Sequence, residues 1–371
     1  MAGPGVHALA TDAGDVAAGG RDTAPAGEAG RTAAGPAERS VRRFERRAMG
    51  SRLRLTVTGA SAGAALLAWG RVSDEFERAE QAMSRFRDSS DLSHLNRAVG
   101  SGALVEVDRR LRRALVAAWR AQRVTGGRFD PRVLRDLERL GYRGAPLGAR
   151  GAPPAPSLLG AREAPAASPL VRPPARDHPA HRAGWLVLAG RTSAAGVTEP
   201  VDLGGIGKGL ALRWAWRRLR ATLATGDGVG ALLEAGGDLV AGGGSPDGGP
   251  WLVGIEDPTG GSEPLAVVRV VRGAVCTSSL AVHRWHDPSG RPVHHLIDPV
   301  TGEPGGEGLL SVTVAGPDPA WAEVWSKALF LEGARGIATL ARRRGLAAWW
   351  VTASGDLEMT PAARPRTAWL R

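Results

Sequence analysis

VDLGGIGKGLALR, running from Val201 to Arg213, is the stretch from which the rest of the chain is read. An apolar start and an acidic residue lead through glycines and a lysine into an apolar, arginine-bearing run. Glycines let the backbone turn tightly and approach a ligand closely. Their amides, with the first amides of a following helix, form a cradle for phosphate. Lys208 sits where its ammonium could reach the same anion. The stretch has neither the spacing of a P-loop nor that of a dinucleotide fingerprint opening a simple βαβ unit. From the loop alone the ligand stays open, and a plain strand-to-helix turn reads equally well.

Composition sharpens the interest in Lys208. Of 48 basic residues only Lys208 and Lys327 are lysine; arginine fills the other positions. Lysine offers a compact point charge where arginine offers a planar fork. Asn96 is likewise the only asparagine. The net charge is +11, but arginine is spread along the chain without aromatic interleaving, so a nucleic-acid surface is not expected. Cys276 is the only cysteine, which excludes an internal disulfide and a cysteine-based zinc site. The N-terminus lacks a basic start followed by an apolar core, and no apolar run is long enough to span a membrane, so a cytoplasmic protein is expected.

Outward from the motif, the chain reads as an α+β fold with mixed sheets and packed helices in a single catalytic unit over residues 43–360. Residues 1–42 form an Ala/Gly/Pro-rich tail expected to be disordered. Residues 144–183 are a flexible Pro/Ala/Arg-rich insertion, and 361–371 a C-terminal tail. Arg52–Thr58 alternates as a half-buried strand. Trp69–Phe86 carries Val72, Phe76, Ala79, Met83 and Phe86 at helical spacing. Asp108–Thr125 is a second amphipathic helix stopped by Gly126-Gly127. The turn Arg128-Phe129-Asp130-Pro131 is expected to present Asp130 at a surface. Strands are expected over Gly184–Ala189 and Val197–Leu203, a helix over Lys208–Ala221, and mostly strands and turns thereafter. A helix over Pro319–Glu332 and a strand over Ala347–Thr352 close the unit.

Two more constellations carry chemistry. His294-His295 followed by Asp298 places an imidazole beside a carboxylate, a pattern suited to general-base work or equally to a strand edge. Glu323 and Lys327 stand four apart on one helix, which as an ordinary intrahelical pair is worth about 0.3–0.5 kcal/mol.

Taken in order, Met49-Gly50-Ser51, MSRFRDSSDLSHLN, RFDP, VDLGGIGKG, EAGGDLVAGG, WLVGIEDP, Thr277-Ser278, HHLIDPVTG and AEVWSKALFLEG resemble the ApbE family of FAD:protein FMN transferases, from about Arg46 to about Thr352. The resemblance implies an enzyme that binds FAD and a divalent cation, usually magnesium. It would cleave the pyrophosphate and attach FMN to a threonine or serine hydroxyl of an acceptor protein. A flavin-binding protein without transfer, or a pyrophosphatase giving FMN and AMP, are the alternatives. The resemblance makes His295 the base and Lys208 its catalytic companion. It places Met49, Phe86, Arg128, Phe129, Asp130, Asp202, Lys208, Gly236, Gly237, Thr277 and Leu296 against FAD, and makes the Gly205 carbonyl a metal ligand. Phe86 stands where tyrosine is commoner, and Ser279 replaces a glycine. In the family a helix supplies Asp and, four residues on, Thr to the metal; here the positions hold Glu323 and Lys327. A longer carboxylate can still bind magnesium, but an ammonium has no lone pair to offer. Lys327, held by Glu323, is therefore expected to take over part of the metal's role.

Overall fold

The computed structural model describes residues 6–8, 39–142, 185–188, 194–223 and 228–371. Most of the expected N-terminal tail and all of the expected insertion lie outside these residues.

Eight strands build the central sheet. They are β1 (Val41–Ala48), β2 (Ser51–Thr58), β3 (Gly230–Ala235), β4 (Asp238–Gly242), β5 (Arg272–Ser279), β6 (Leu309–Gly316), β7 (Ala347–Thr352) and β8 (Leu357–Met359). Their spatial order is their chain order, and every neighbour is antiparallel. The sheets, expected to be mixed, contain only antiparallel pairings among the described residues, because tight hairpins join β1 to β2 and β3 to β4. Longer connections carry the helices from β2 to β3 and from β6 to β7, and these strands also run antiparallel.

The period-two rule decides the layers. Leu233, Val240, Ala274, Cys276 and Trp350 face a helical layer, while their neighbours Leu232, Leu239, Val275 and Trp349 face a second, four-stranded sheet. That second sheet runs in the order Val6–Ala8, Trp251–Ile255, Ala266–Val270, Thr367–Leu370. The chain end expected as a free tail is thus its edge strand, paired antiparallel to Ala266–Val270. Exposed ladder groups on that strand recruit the last residues as a partner.

The helical layer is α1 (Ala62–Met83), α2 (Asp91–Arg97), α3 (Arg109–Val124), α4 (Leu134–Arg139), α5 (Gly207–Thr222) and α6 (Pro319–Arg343). Ser61 caps α1, whose Val72, Phe76, Ala79 and Met83 are buried as their spacing requires. Phe86 does not share that stripe. The helix has already ended at Ser84, and Phe86 is 58% exposed. The strand expected over Val197–Leu203 stops at Val197, because the segment beyond turns into the glycine loop. Helix α6 runs past Glu332 to Arg343 through a break at Gly333, whose φ of 74° suits glycine. Among the described residues no helix is long and apolar enough to cross a membrane.

Helix α5 starts beneath the first turn of α6. A Cβ on Gly209 would stand 2.5 Å from Ala320 Cα and 2.7 Å from the Pro319 carbonyl oxygen, both backbone atoms. We expect Gly209→Ala to destabilise the fold by about 2 kcal/mol or more, since neither helix can yield without moving its partner. Thermal unfolding of the two proteins measures this.

Candidate active site

One end of the central sheet gathers the loops. The β1–β2 turn holds Met49 at φ 49° and Gly50 at φ 71°. The β3–β4 turn holds Gly236 at φ 59° and Gly237 at φ 91°. A Cβ on Gly236 would lie 2.9 Å from Ser51 Cβ and 3.8 Å from Lys208 Cε. Glycine there lets the two turns and the start of α5 converge.

At the convergence lies a cluster of four charges. Lys208 Nζ donates to Asp238 Oδ2 at 2.7 Å and to Glu323 Oε1 at 3.1 Å. Lys327 Nζ reaches the same Glu323 oxygen at 3.4 Å. Glu323 is 0% exposed, and its other oxygen accepts the Gly209 N–H at 2.8 Å. Asp238 Oδ1 accepts the Thr277 N–H at 3.1 Å. Burial works against the Lys208 ammonium, but Asp238 and Glu323 outweigh it and hold its pKa above the ordinary lysine value. Burial alone would raise the Glu323 carboxyl; the two lysines pull it below the usual range.

The glycine loop differs from a phosphate cradle. The N–H of Gly204 donates to Asp202 Oδ1, those of Ile206 and Gly207 to the Leu203 carbonyl, and that of Gly209 to Glu323. These amides are engaged within the protein, so positive charge at this end of the site comes chiefly from the two ammoniums. Asp202 is held by Arg85 through an ion pair. Asn96 brackets the residue before it, donating to the Val201 carbonyl at 2.9 Å and accepting the Val201 N–H at 2.9 Å. The chain's one asparagine therefore fixes where Asp202 begins the loop.

Asp130, expected at a surface, is 5% exposed. It caps the short turn that follows and is bound by Arg132 Nη2 at 2.7 Å and Gln122 Nε2 at 2.8 Å. A buried carboxylate needs such donors, and they turn it inward. Arg128 pairs with Glu332 at 2.7 Å. Phe129 is buried, and a Cβ on Gly205 would meet its ring at 2.7 Å and Lys327 Cδ at 3.2 Å.

On the other side stand the imidazoles. His295 lies edge-to-face with His283, ring centroids 5.1 Å apart. Among the described residues neither Nδ1 has a hydrogen-bond partner. Asp298 does not orient them. Its carboxylate accepts the Val300 N–H at 2.8 Å, while its backbone carbonyl accepts the Gly302 N–H at 2.8 Å and closes that turn. His294 turns away, accepting the Leu296 N–H at 3.3 Å and packing edge-on to Phe330. Leu296 is buried. Phe86, Tyr142, His283 and Trp285 form a chain of ring contacts, with the Arg85 guanidinium 4.2 Å over Phe86 and 4.9 Å over Tyr142. Burial, then Asp202, pushes the Tyr142 hydroxyl up to about 12.

Arg85, Asp238, Tyr142 and His283 are the neighbours that sequence reading missed. Asp238 lay inside the EAGGD motif and Arg85 beside Phe86, whereas nothing local marks Tyr142 or His283.

The donors do not fit a divalent magnesium-like cation. Such an ion takes several oxygen ligands. Both Glu323 oxygens are engaged, one with two ammoniums, and the stem of Lys327 covers Gly205. Among the described residues no three His, Cys, Asp or Glu side chains are grouped to hold a metal.

Residues 49–350 match the ApbE family model. The FAD:protein FMN transferase of Escherichia coli (strain K12) is 32% identical over 157 residues, which is 42% of this chain and 43% of that protein. The match thus spans less than half of that relative's length. The FAD:protein FMN transferase of Treponema pallidum is 32% identical over 269 residues, 69% of each chain. The ApbE protein of Thermotoga maritima superposes with a TM-score of 0.72 at 24% identity, covering 89% of this chain and all of that one. The flavinyl transferase ApbE of Pseudomonas stutzeri gives 0.67 at 23% identity, covering 90% of this chain and all of that one. The two structural likenesses concern the fold.

The histidines make the fold sensitive to acid. Burial, with Lys208 and Lys327 nearby, lowers His283 to about 4, while burial and Arg284 lower His294 to about 4. Burial, then His283 and Lys327, keeps His295 well below its ordinary value. Between about 4 and 6.5 the unfolded chain binds more protons than the folded one, so stability falls as pH drops through that window. We expect the melting temperature to fall from pH 7 to pH 5, and His283→Phe to flatten that slope, as read by thermal scans at fixed ionic strength.

Proposed function

The chain belongs to the ApbE family, and from that premise we propose that it is an FAD:protein FMN transferase acting on a threonine or serine hydroxyl of an acceptor protein. The observation that carries the chemistry is the His295 imidazole. It is held neutral, with an unpartnered Nδ1, at the edge of the cluster that concentrates positive charge.

The acceptor oxygen bonds to the phosphorus on the FMN side of the pyrophosphate. The bond from that phosphorus to the bridging oxygen breaks, and AMP leaves with the oxygen and the electron pair. The hydroxyl proton passes to a ring nitrogen of His295. A neutral imidazole is ready to take it, and the negative charge of bound FAD would offset the lysines that depress its basicity. Lys208, anchored by Asp238 and Glu323, faces the charge developing on the phosphoryl oxygens. The exposed Phe86 ring beside Arg85 and Tyr142 offers a stacking surface for a flat heterocycle. Met49, Gly236 and Gly237 stand in the turns around Lys208 and would approach the ligand there, with Thr277 beside them on β5, its N–H held by Asp238. Asp130 and Arg128, engaged with Arg132 and Glu332, hold Phe129 and the loop in place instead of touching FAD.

Incubating the protein with FAD and a threonine-bearing acceptor peptide should give covalent flavin on the peptide and one AMP per label. AMP without labelled peptide would mean hydrolysis, and intact bound FAD would mean binding only. His295→Ala should lower transfer by about 10²-fold or more, as expected for a lost general base, while FAD affinity measured by flavin fluorescence changes little.

A further inference from the structure

Resting on the transferase reading, the inference concerns what neutralises the pyrophosphate of FAD. Two linked phosphates present formal negative charge that must be matched before a bond to phosphorus can form. The loop amides are largely spent on the protein itself, and the donor set does not fit a divalent cation. Among the described residues, the charge gathered where the turns converge is the pair of ammoniums on Glu323.

The two are not equivalent. Lys208 is held by two carboxylates, at 2.7 and 3.1 Å. Among the described residues the Lys327 ammonium is held by one carboxylate oxygen, at 3.4 Å, and its side chain is 15% exposed. An ammonium carries three donors, so Lys327 keeps two of them for a ligand. Its stem packs over Gly205, directing the charged end to the mouth of the glycine loop. A cation entering beside Glu323 would meet both ammoniums at short range in a partly buried setting, where like charges repel strongly. The pair is also unlike an ordinary intrahelical i, i+4 contact, because its acid is fully buried and shared with a second lysine from another helix. The only two lysines among 48 basic residues converge on one carboxylate oxygen. A planar guanidinium would not fit there as a compact charge does.

We propose that the Lys327 ammonium, steered by Glu323, stands in for a divalent cation, so that this protein binds and cleaves FAD without magnesium. Lys208 serves as the fixed charge of the site and Lys327 as the one that reaches the ligand.

The test measures FAD binding by fluorescence quenching, for the full chain, in EDTA and in millimolar Mg²⁺. The dissociation constant of the unmodified protein should agree within about twofold between the two. Lys327→Met, which keeps the stem and removes the charge, should bind FAD about ten- to a hundredfold more weakly in EDTA, the scale of one lost charged hydrogen bond. A melting temperature within a few degrees of the parent shows that the variant is folded. Binding lost in EDTA and restored by Mg²⁺ in the unmodified protein would overturn the proposal. So would stoichiometric Mn²⁺ uptake by its FAD complex, seen by electron paramagnetic resonance, or a Lys327→Met variant that binds FAD as the parent does. AMP formed in EDTA without labelled peptide would leave this inference standing and remove the transferase reading. EDTA-sensitive transfer would do the reverse.

Discussion

Two buried carboxylates, Asp238 and Glu323, set the terms for the site end of this molecule. A carboxylate removed from water is costly unless it is paired and its lone pairs are filled. Asp238 sits at the β3–β4 turn and Glu323 in the second turn of α6, far apart in sequence. Lys208, from the first turn of α5, joins them, and backbone amides at Gly209 and Thr277 complete their shells. Helix α5, helix α6 and strands β4 and β5 are therefore tied at one point. Removing any member would strand a buried charge, so the loops around the cluster are held in position before any ligand arrives.

Close packing makes that point reachable. Gly209 lets α5 lie against the backbone of α6, and Gly236 lets the β3–β4 turn slide under Ser51 and Lys208. The antiparallel sheet supplies a flat floor whose alternating faces bury against helices on one side and a second sheet on the other. Function is concentrated where the turns emerge, since strand interiors have no free backbone groups to offer. The histidines sit across from the lysines, and burial first, then the nearby positive charges, favours their neutral form.

Much of this was legible in the sequence for local reasons. The alternation of Arg52–Thr58 and the stripe Val72, Phe76, Ala79, Met83 report a strand and a helix through periodicity alone. The i, i+4 spacing of Glu323 and Lys327 fixes their contact within one helix. The scarcity of lysine singled out both cationic members of the cluster. Other readings failed because they depended on distant partners. Asp130 looked like a turn residue on display, but Arg132 and Gln122 draw it inside. Asp298 looked like a partner for histidine, but the turn to Gly302 claims it. The C-terminal tail is an edge strand, because Ala266–Val270 pairs with it.

The sequence by itself determined the element types, the family resemblance, and the presence of an ammonium where a metal ligand was expected, because each depends on residue identity and short spacing. Only the tertiary structure decided that Lys208 and Lys327 meet on one oxygen of Glu323, that most of the loop amides are already engaged, and that His283 stands against His295. Those facts depend on contacts between residues up to 115 positions apart, as between Lys208 and Glu323. No local pattern encodes such a distance; it is set when helices and strands settle into the packing that leaves the fewest buried charges alone.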